Sequence, residues 1–115
     1  MIRFLRGRRI AKAYKAHVNT LMDQGIVAVK AANKALVSNI ANERHAQWVA
    51  GEGLNTFIRS ANAERDLLLH ELNTPRTKDT YAFDHASERI ITMINNQLSG
   101  IEEAKHKHIE RGALK

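Results

Sequence analysis

Residues 26–53, IVAVKAANKALVSNIANERHAQWVAGEG, decide how the chain is built, because the place where this stretch leaves the helix sets the length of every rod in the molecule. Apolar residues recur at helical spacing through Ile26, Val29, Leu36, Val37, Ile40 and Trp48, with Asn33 inside the stripe. The rhythm runs on to Val49. Gly51-Glu52-Gly53 then places two glycines within three residues, a pattern that suits a helix C-cap and a tight reversal. The expected first break is therefore near 51–53.

Working outward toward the N-terminus, residues 8–24 also read as helix. Ile10, Tyr14, Val18 and Leu21 form one stripe, and Arg8, Lys12, Lys15 and Asn19 form another. Gly25 separates this stretch from the next and has two readings. It is a junction between two helices, or a residue tolerated inside one long rod at a cost of about 1 kcal/mol. Toward the C-terminus a third helix is expected over about 54–72, with Leu54, Phe57, Ile58, Ala61, Leu68 and Leu72 on one face. A second break is expected at 73–79, where Pro75 lacks a donor amide and biases Thr74 away from helix. The last helix carries Phe83, Ala86, Ile90, Met93, Ile94, Leu98 and Ile101 in one phase that crosses Ser99-Gly100, and it is expected to run to about Arg111 with Gly112 as its terminator.

The fold class expected from these periods is all-α. Three or four amphipathic helices form an antiparallel bundle or an extended helical hairpin, in a single domain spanning 1–115. One proline and six glycines are too few for a turn-rich β-sandwich or barrel, and 115 residues is one domain's length. At 1.5 Å per residue, a first rod of 8–49 would be about 60 Å long, against about 30 Å for 54–72 and about 50 Å for 80–111. Rods so unequal leave apolar stripe uncovered. Either Gly25 divides the first rod, or the excess is buried against a second copy or a larger assembly. Asn33, Leu36, Ile40 and Trp48 are the expected core or interface positions. Asn33 either fixes register or oligomeric state through a buried hydrogen bond or sits solvated at the stripe's margin. Trp48, the one tryptophan, is expected to be at least partly buried where the first rod turns over onto the next, the alternative being an exposed rim residue available to a partner.

Charge is distributed unevenly. Residues 1–34 hold eight Arg or Lys against the single Asp23, a net of +7, whereas residues 35–115 hold ten bases against eleven acids, a net of −1. Arg3, Arg6, Arg8, Arg9, Lys12 and Lys15 form a basic arm over about 1–15. A local positive field of this kind draws polyanions or anionic surfaces to one end of a molecule. The arm has three readings: contact with nucleic acid without sequence readout, docking on a protein partner, or residence on an anionic membrane surface through Ile2, Phe4, Leu5, Ile10 and Tyr14. Its Arg-rich, acid-poor composition also resembles a mitochondrial targeting segment. No run of apolar residues is long enough for a transmembrane helix, so the expected location is the cytoplasm or the interior of a virion or other assembly.

Nothing in the chain nominates an enzyme or a cofactor. Asp84-His85-Ala86-Ser87 has the residue types of a serine triad, but on one helix these side chains point in successive directions and no oxyanion loop accompanies them. Glu103 with His106 has the Glu-x-x-His spacing of di-iron bundles without the second copy that such sites need. Glu102 and His106 are spaced to pair across one helical turn. With no cysteine there is neither a disulfide nor a thiolate metal site. The function expected is that of a structural or accessory subunit of a larger assembly, such as a virus or another multi-protein machine, with a basic head directed at nucleic acid.

Overall fold

The computed structural model describes residues 2–72 and 79–113, with side chains from 12 to 72 and from 83 to 109. Every described element is helical: α1 (Ile2–Val37), α2 (Glu43–Trp48), a π-helical turn (Val49–Gly53), α3 (Leu54–Leu72) and α4 (Asp79–Ala113). The molecule is an elongated helical bundle of 70 × 20 × 17 Å.

The break expected at 51–53 lies instead at 38–42. There Ser38 Oγ and Asn39 Nδ2 both donate to the Ala35 carbonyl, at 2.7 and 2.9 Å. The backbone tightens in the same place, with Asn39 N–H donating to Leu36 O and Ile40 N–H to Val37 O. Side chains that bond the local backbone offer it an alternative to the helix, and the i→i−3 bonds close the last turn. Asn42 then caps the next helix, accepting from the His45 amide at 2.9 Å.

Gly51 and Gly53 do not reverse the chain. No described residue has positive φ, and Trp48, Val49 and Leu54 at the edges of the π turn all have right-handed helical dihedrals. The glycines instead sit in one widened turn. Elements of six, five and nineteen residues therefore run on as a second rod, nearly as long as α1 with 36 residues and α4 with 35. The mismatch in rod lengths that the sequence implied disappears with the shift of the break. The segment 73–78, containing the expected second break, lies outside the described residues, and α3 ends and α4 begins on either side of it.

Helix α1 runs unbroken through Gly25, and α4 runs unbroken through Ser99-Gly100 and on through Gly112. The two long helices are parallel and in register. Tyr14 stacks on Phe83 with ring centroids 4.4 Å apart, and eleven residues further along each helix Gly25 lies against Ile94. The middle rod runs antiparallel to α1. Its orientation is fixed by Asn33 Nδ2 donating to Val49 O at 3.2 Å and by Arg65 Nη1 on Asp23 Oδ1 at 2.8 Å. On the other side of α3, Glu64 accepts from Nε and Nη2 of Arg89 on α4 at 2.8 and 2.7 Å.

The core draws Val18, Met22, Ile26, Val29 and Leu36 from α1, Ile40 from the connection, Phe57, Ala61 and Leu68 from α3, and Ala86, Ile90, Ile94 and Ile101 from α4. Leu36 and Ile40 are thus core residues. Asn33 is buried at 7% exposure, and its hydrogen bond stays within the chain. The acceptor, Val49 O, also receives the Leu54 amide across the π turn, so Asn33 sets the register of the second rod on α1.

Trp48 differs from expectation. It is 57% exposed and contributes to no buried cluster. With the break moved back to 38–42, the turn-over point that would have enclosed an indole is occupied by Ile40, and the half-buried side of α2 and the π turn is formed by Ala46 and Val49.

Two glycines have opposite roles. A Cβ on Gly25 would lie 2.5 Å from Ile94 Cγ1 and 2.7 Å from Cδ1, whereas one on Gly100 meets nothing within 4 Å. Ile94 is β-branched and 93% removed from solvent, so it has little freedom to retreat. Gly25→Ala is expected to cost about 1–3 kcal/mol in overpacking, more than the roughly 1 kcal/mol of helix propensity it gains. Gly100→Ala keeps only the propensity gain and is expected to stabilise by about 0.5–1 kcal/mol. Paired thermal melts check the signs; a stabilised Gly25→Ala would contradict the close packing of α1 on α4.

Candidate polyanion-binding helix

The basic arm is the first part of α1, which begins at Ile2 and continues into the bundle without interruption. Arg3, Arg6, Arg8 and Arg9 lie on this helix, and their side chains are outside the described residues. Lys12 is exposed and Lys15 half-buried. Tyr14 and His17 both pack against the Phe83 ring, at 4.4 and 5.1 Å between centroids, and this aromatic group fixes the base of the arm to the first turns of α4. Because α1 and α4 are in register at Tyr14 and Phe83, α4 begins level with about residue 10 of α1. The preceding two turns, about 12 Å of helix, extend past the start of α4.

Most described bases outside α1 are paired with acids, Arg44 and Lys105 being the exceptions. Arg59 is bound by Glu52 at 3.0 Å, Arg89 by Glu64 at 2.7 Å and Lys107 by Glu103 at 3.7 Å. The one acid of the basic third, Asp23, is taken by Arg65 of α3. The Arg65 side chain is only 18% exposed and also donates to the side-chain oxygens of Asn19 and Asn62, at 3.4 and 3.1 Å. Lys12, Lys15, Lys30 and Lys34 consequently have no acidic partner among the described residues. The helix that carries the excess positive charge has its only internal counter-charge occupied by another helix.

Folding brings together one pair of histidines that are remote in sequence. His45 of α2 and His108 of α4 have ring centroids 5.8 Å apart. Glu102 and His106 pair at 3.3 Å, as their spacing implied. Among the described residues no three His, Asp or Glu side chains converge in a way that would hold a metal ion. A groove of about 630 Å³ between α3 and α4 is bordered by Glu64, His85, Glu88, Arg89, Thr92 and Met93. Its one arginine is already neutralised by Glu64. Asp84 and His85 are exposed, whereas the Ser87 hydroxyl is buried and without a hydrogen-bond partner, so these three residues do not form a relay.

With eight bases against one acid in residues 1–34, and that acid held by Arg65, the arm is the best-defined candidate surface. Comparison with protein-family models, curated proteins and solved structures gives no match. No described helix is long and apolar enough to cross a membrane.

Four cations that were not singled out from the sequence also have no acidic partner among the described residues: Lys30 and Lys34 on α1, Arg44 on α2 and Lys105 on α4. Lys30 and Lys34 were within reach, because the net charge of residues 1–34 included them. Arg44 is likewise exposed and without an acidic partner among the described residues. It resembles the other Glu-Arg pairs of the sequence, and only the fold distinguishes it from Arg65 and Arg89, which are bound across helices.

Proposed function

We propose that this chain is a non-enzymatic structural or accessory subunit of a larger assembly, and that the basic start of α1 contacts nucleic acid without reading its sequence. The observation that carries this reading is the uncompensated charge of α1, whose single acid is held by Arg65 while four described lysines have no acidic partner. Six bases fall within residues 3–15, on a helix that extends beyond the start of α4, and so concentrate positive charge at one end of the bundle for phosphates to meet. Such contacts act by releasing condensed counterions, so affinity depends steeply on salt and weakly on sequence. Bilayer residence would need buried apolar area in addition to charge, and Tyr14, one of the five apolar residues available for it, is stacked on Phe83.

Binding of random single- and double-stranded oligonucleotides, followed by fluorescence anisotropy between about 50 and 200 mM salt, tests the proposal. The expected result is binding to both, with log affinity falling linearly against log salt. Absence of binding to either at about 50 mM salt overturns it and leaves protein docking as the role of the arm.

A further inference from the structure

An exposed aromatic side chain lies at the other end of the bundle, on α2. This helix has no buried residue, and Arg44 and Trp48 stand one turn apart on its exposed face with His45 beside them. An indole left 57% exposed is unusual for the largest apolar side chain of a protein, yet one side of it is supported by backbone. The Cβ that Gly53 lacks would sit 3.2 Å from Cζ3 and 3.6 Å from Cε3 of Trp48, so one edge of the ring rests on bare backbone of the π turn. The next residue, Val49, is tied to α1 by the Asn33 amide. The ring is thus held on a rigid element while much of it faces solvent.

Resting on the reading of the arm given above, we infer that Arg44 and Trp48 form a second site for single-stranded nucleic acid, in which a base stacks on the indole and Arg44 meets a backbone phosphate. The neighbouring charges favour this partner. Arg44 has no acidic partner among the described residues, Glu52 is engaged by Arg59, and Glu43 occupies the first turn of α2, where a negative charge offsets the helix dipole. A protein hot spot places an aromatic anchor among other apolar groups that exclude water, whereas Trp48 shares its face of α2 with Arg44 and His45. A π-face one turn from an unpaired arginine matches the chemistry of a nucleotide, and stacking of this kind is tolerant of sequence. Along α1, Asn33 is about 30 Å from Lys12, so one strand can touch both sites.

Because the chain has a single tryptophan, its emission reports this site alone. The experiment titrates the full chain with a labelled oligothymidylate of about 16 nucleotides at low salt, reading the anisotropy of the label and the emission of Trp48 together. Quenching that saturates in parallel with anisotropy is expected. Trp48→Ala should weaken binding by about 5- to 150-fold and Trp48→Phe by much less, both with unchanged helicity. An anisotropy rise with unaltered emission, and Trp48→Ala binding like the parent, overturns the stacking site while the arm's role stands. No anisotropy change with the parent chain overturns both.

Discussion

Phe57→Ala is expected to destabilise the bundle by about 3–5 kcal/mol, the usual cost of deleting a buried phenyl ring. The middle rod is the least well anchored of the three. Phe57, Ala61 and Leu68 are its buried residues, and only two of these are large. Truncating one removes much of what holds α3 in the angle between α1 and α4. A domain of this size has roughly 5–15 kcal/mol of net stability, so the loss is a substantial part of the total. At roughly 4 °C per kcal/mol, the melting temperature should fall by about 12–20 °C. Leu67→Ala is the control, since Leu67 is 61% exposed and its replacement should change stability by less than about 0.5 kcal/mol. Thermal circular dichroism on both variants checks the contrast, and equal melting temperatures would contradict the packing of α3.

That contrast was legible in the sequence, and the reason is periodicity. Phe57, Ala61 and Leu68 fall on one helical face and Leu67 does not, and the same rule places Val18, Val29, Leu36, Ile90, Ile94 and Ile101 correctly in the core. What periodicity does not report is where a helix ends when its terminator is also compatible with helix. Ser38 and Asn39 stop α1 through side-chain bonds to the Ala35 carbonyl and Asn42 caps the start of α2, and none of them interrupts the apolar rhythm. Glycine gave the opposite error. Gly51 and Gly53 are strong turn residues in isolation, yet here they occupy a widened helical turn with no left-handed residue. Moving the break by a dozen residues equalised the rods, put Ile40 where Trp48 was expected, and turned Asn33 from a possible link between subunits into a bond within the chain.

The candidate surface was legible to a different degree. Net charge by segment locates the arm because charge is a sum over residues and needs no fold. Compensation is a matter of geometry. The sequence shows Asp23 as a lone acid among bases, but it contains nothing to say that Arg65, 42 positions later, will claim it. In the same way Arg44, Arg65 and Arg89 each follow a glutamate in the sequence, and only the packing of α3 between its neighbours makes Arg65 and Arg89 interhelical clamps and leaves Arg44 exposed. Trp48 is the case in which burial was assigned from residue type. An apolar side chain on a helical stripe is normally core, and the indole escapes because α2 turns only Ala46 toward the bundle.

Replacing Arg8, Arg9, Lys12 and Lys15 together by glutamine should produce the largest functional effect. Glutamine has nearly the helix propensity of arginine and lysine, so helicity and melting should be retained. If all four side chains meet phosphates, the salt slope on duplex DNA falls by about 3.6, at roughly 0.9 per contact, and by about 2.8 on a single strand at roughly 0.7. At low salt this corresponds to a loss of affinity on the order of 100-fold or more. A smaller change in slope counts how many of the four take part. Phe4→Ser with Leu5→Ser should leave nucleic-acid binding almost unchanged, because counterion release does not depend on apolar area. Anionic vesicles give the discriminating comparison. Were the arm a membrane anchor, the two serine changes would abolish partition with every base still present, and the glutamine changes would weaken it more gently. A glutamine variant that binds oligonucleotides with the parent's affinity and slope would remove phosphate contact as the arm's role. The bases of α1 would then be directed at a protein surface, where salt sensitivity follows the acidic residues of one specific partner.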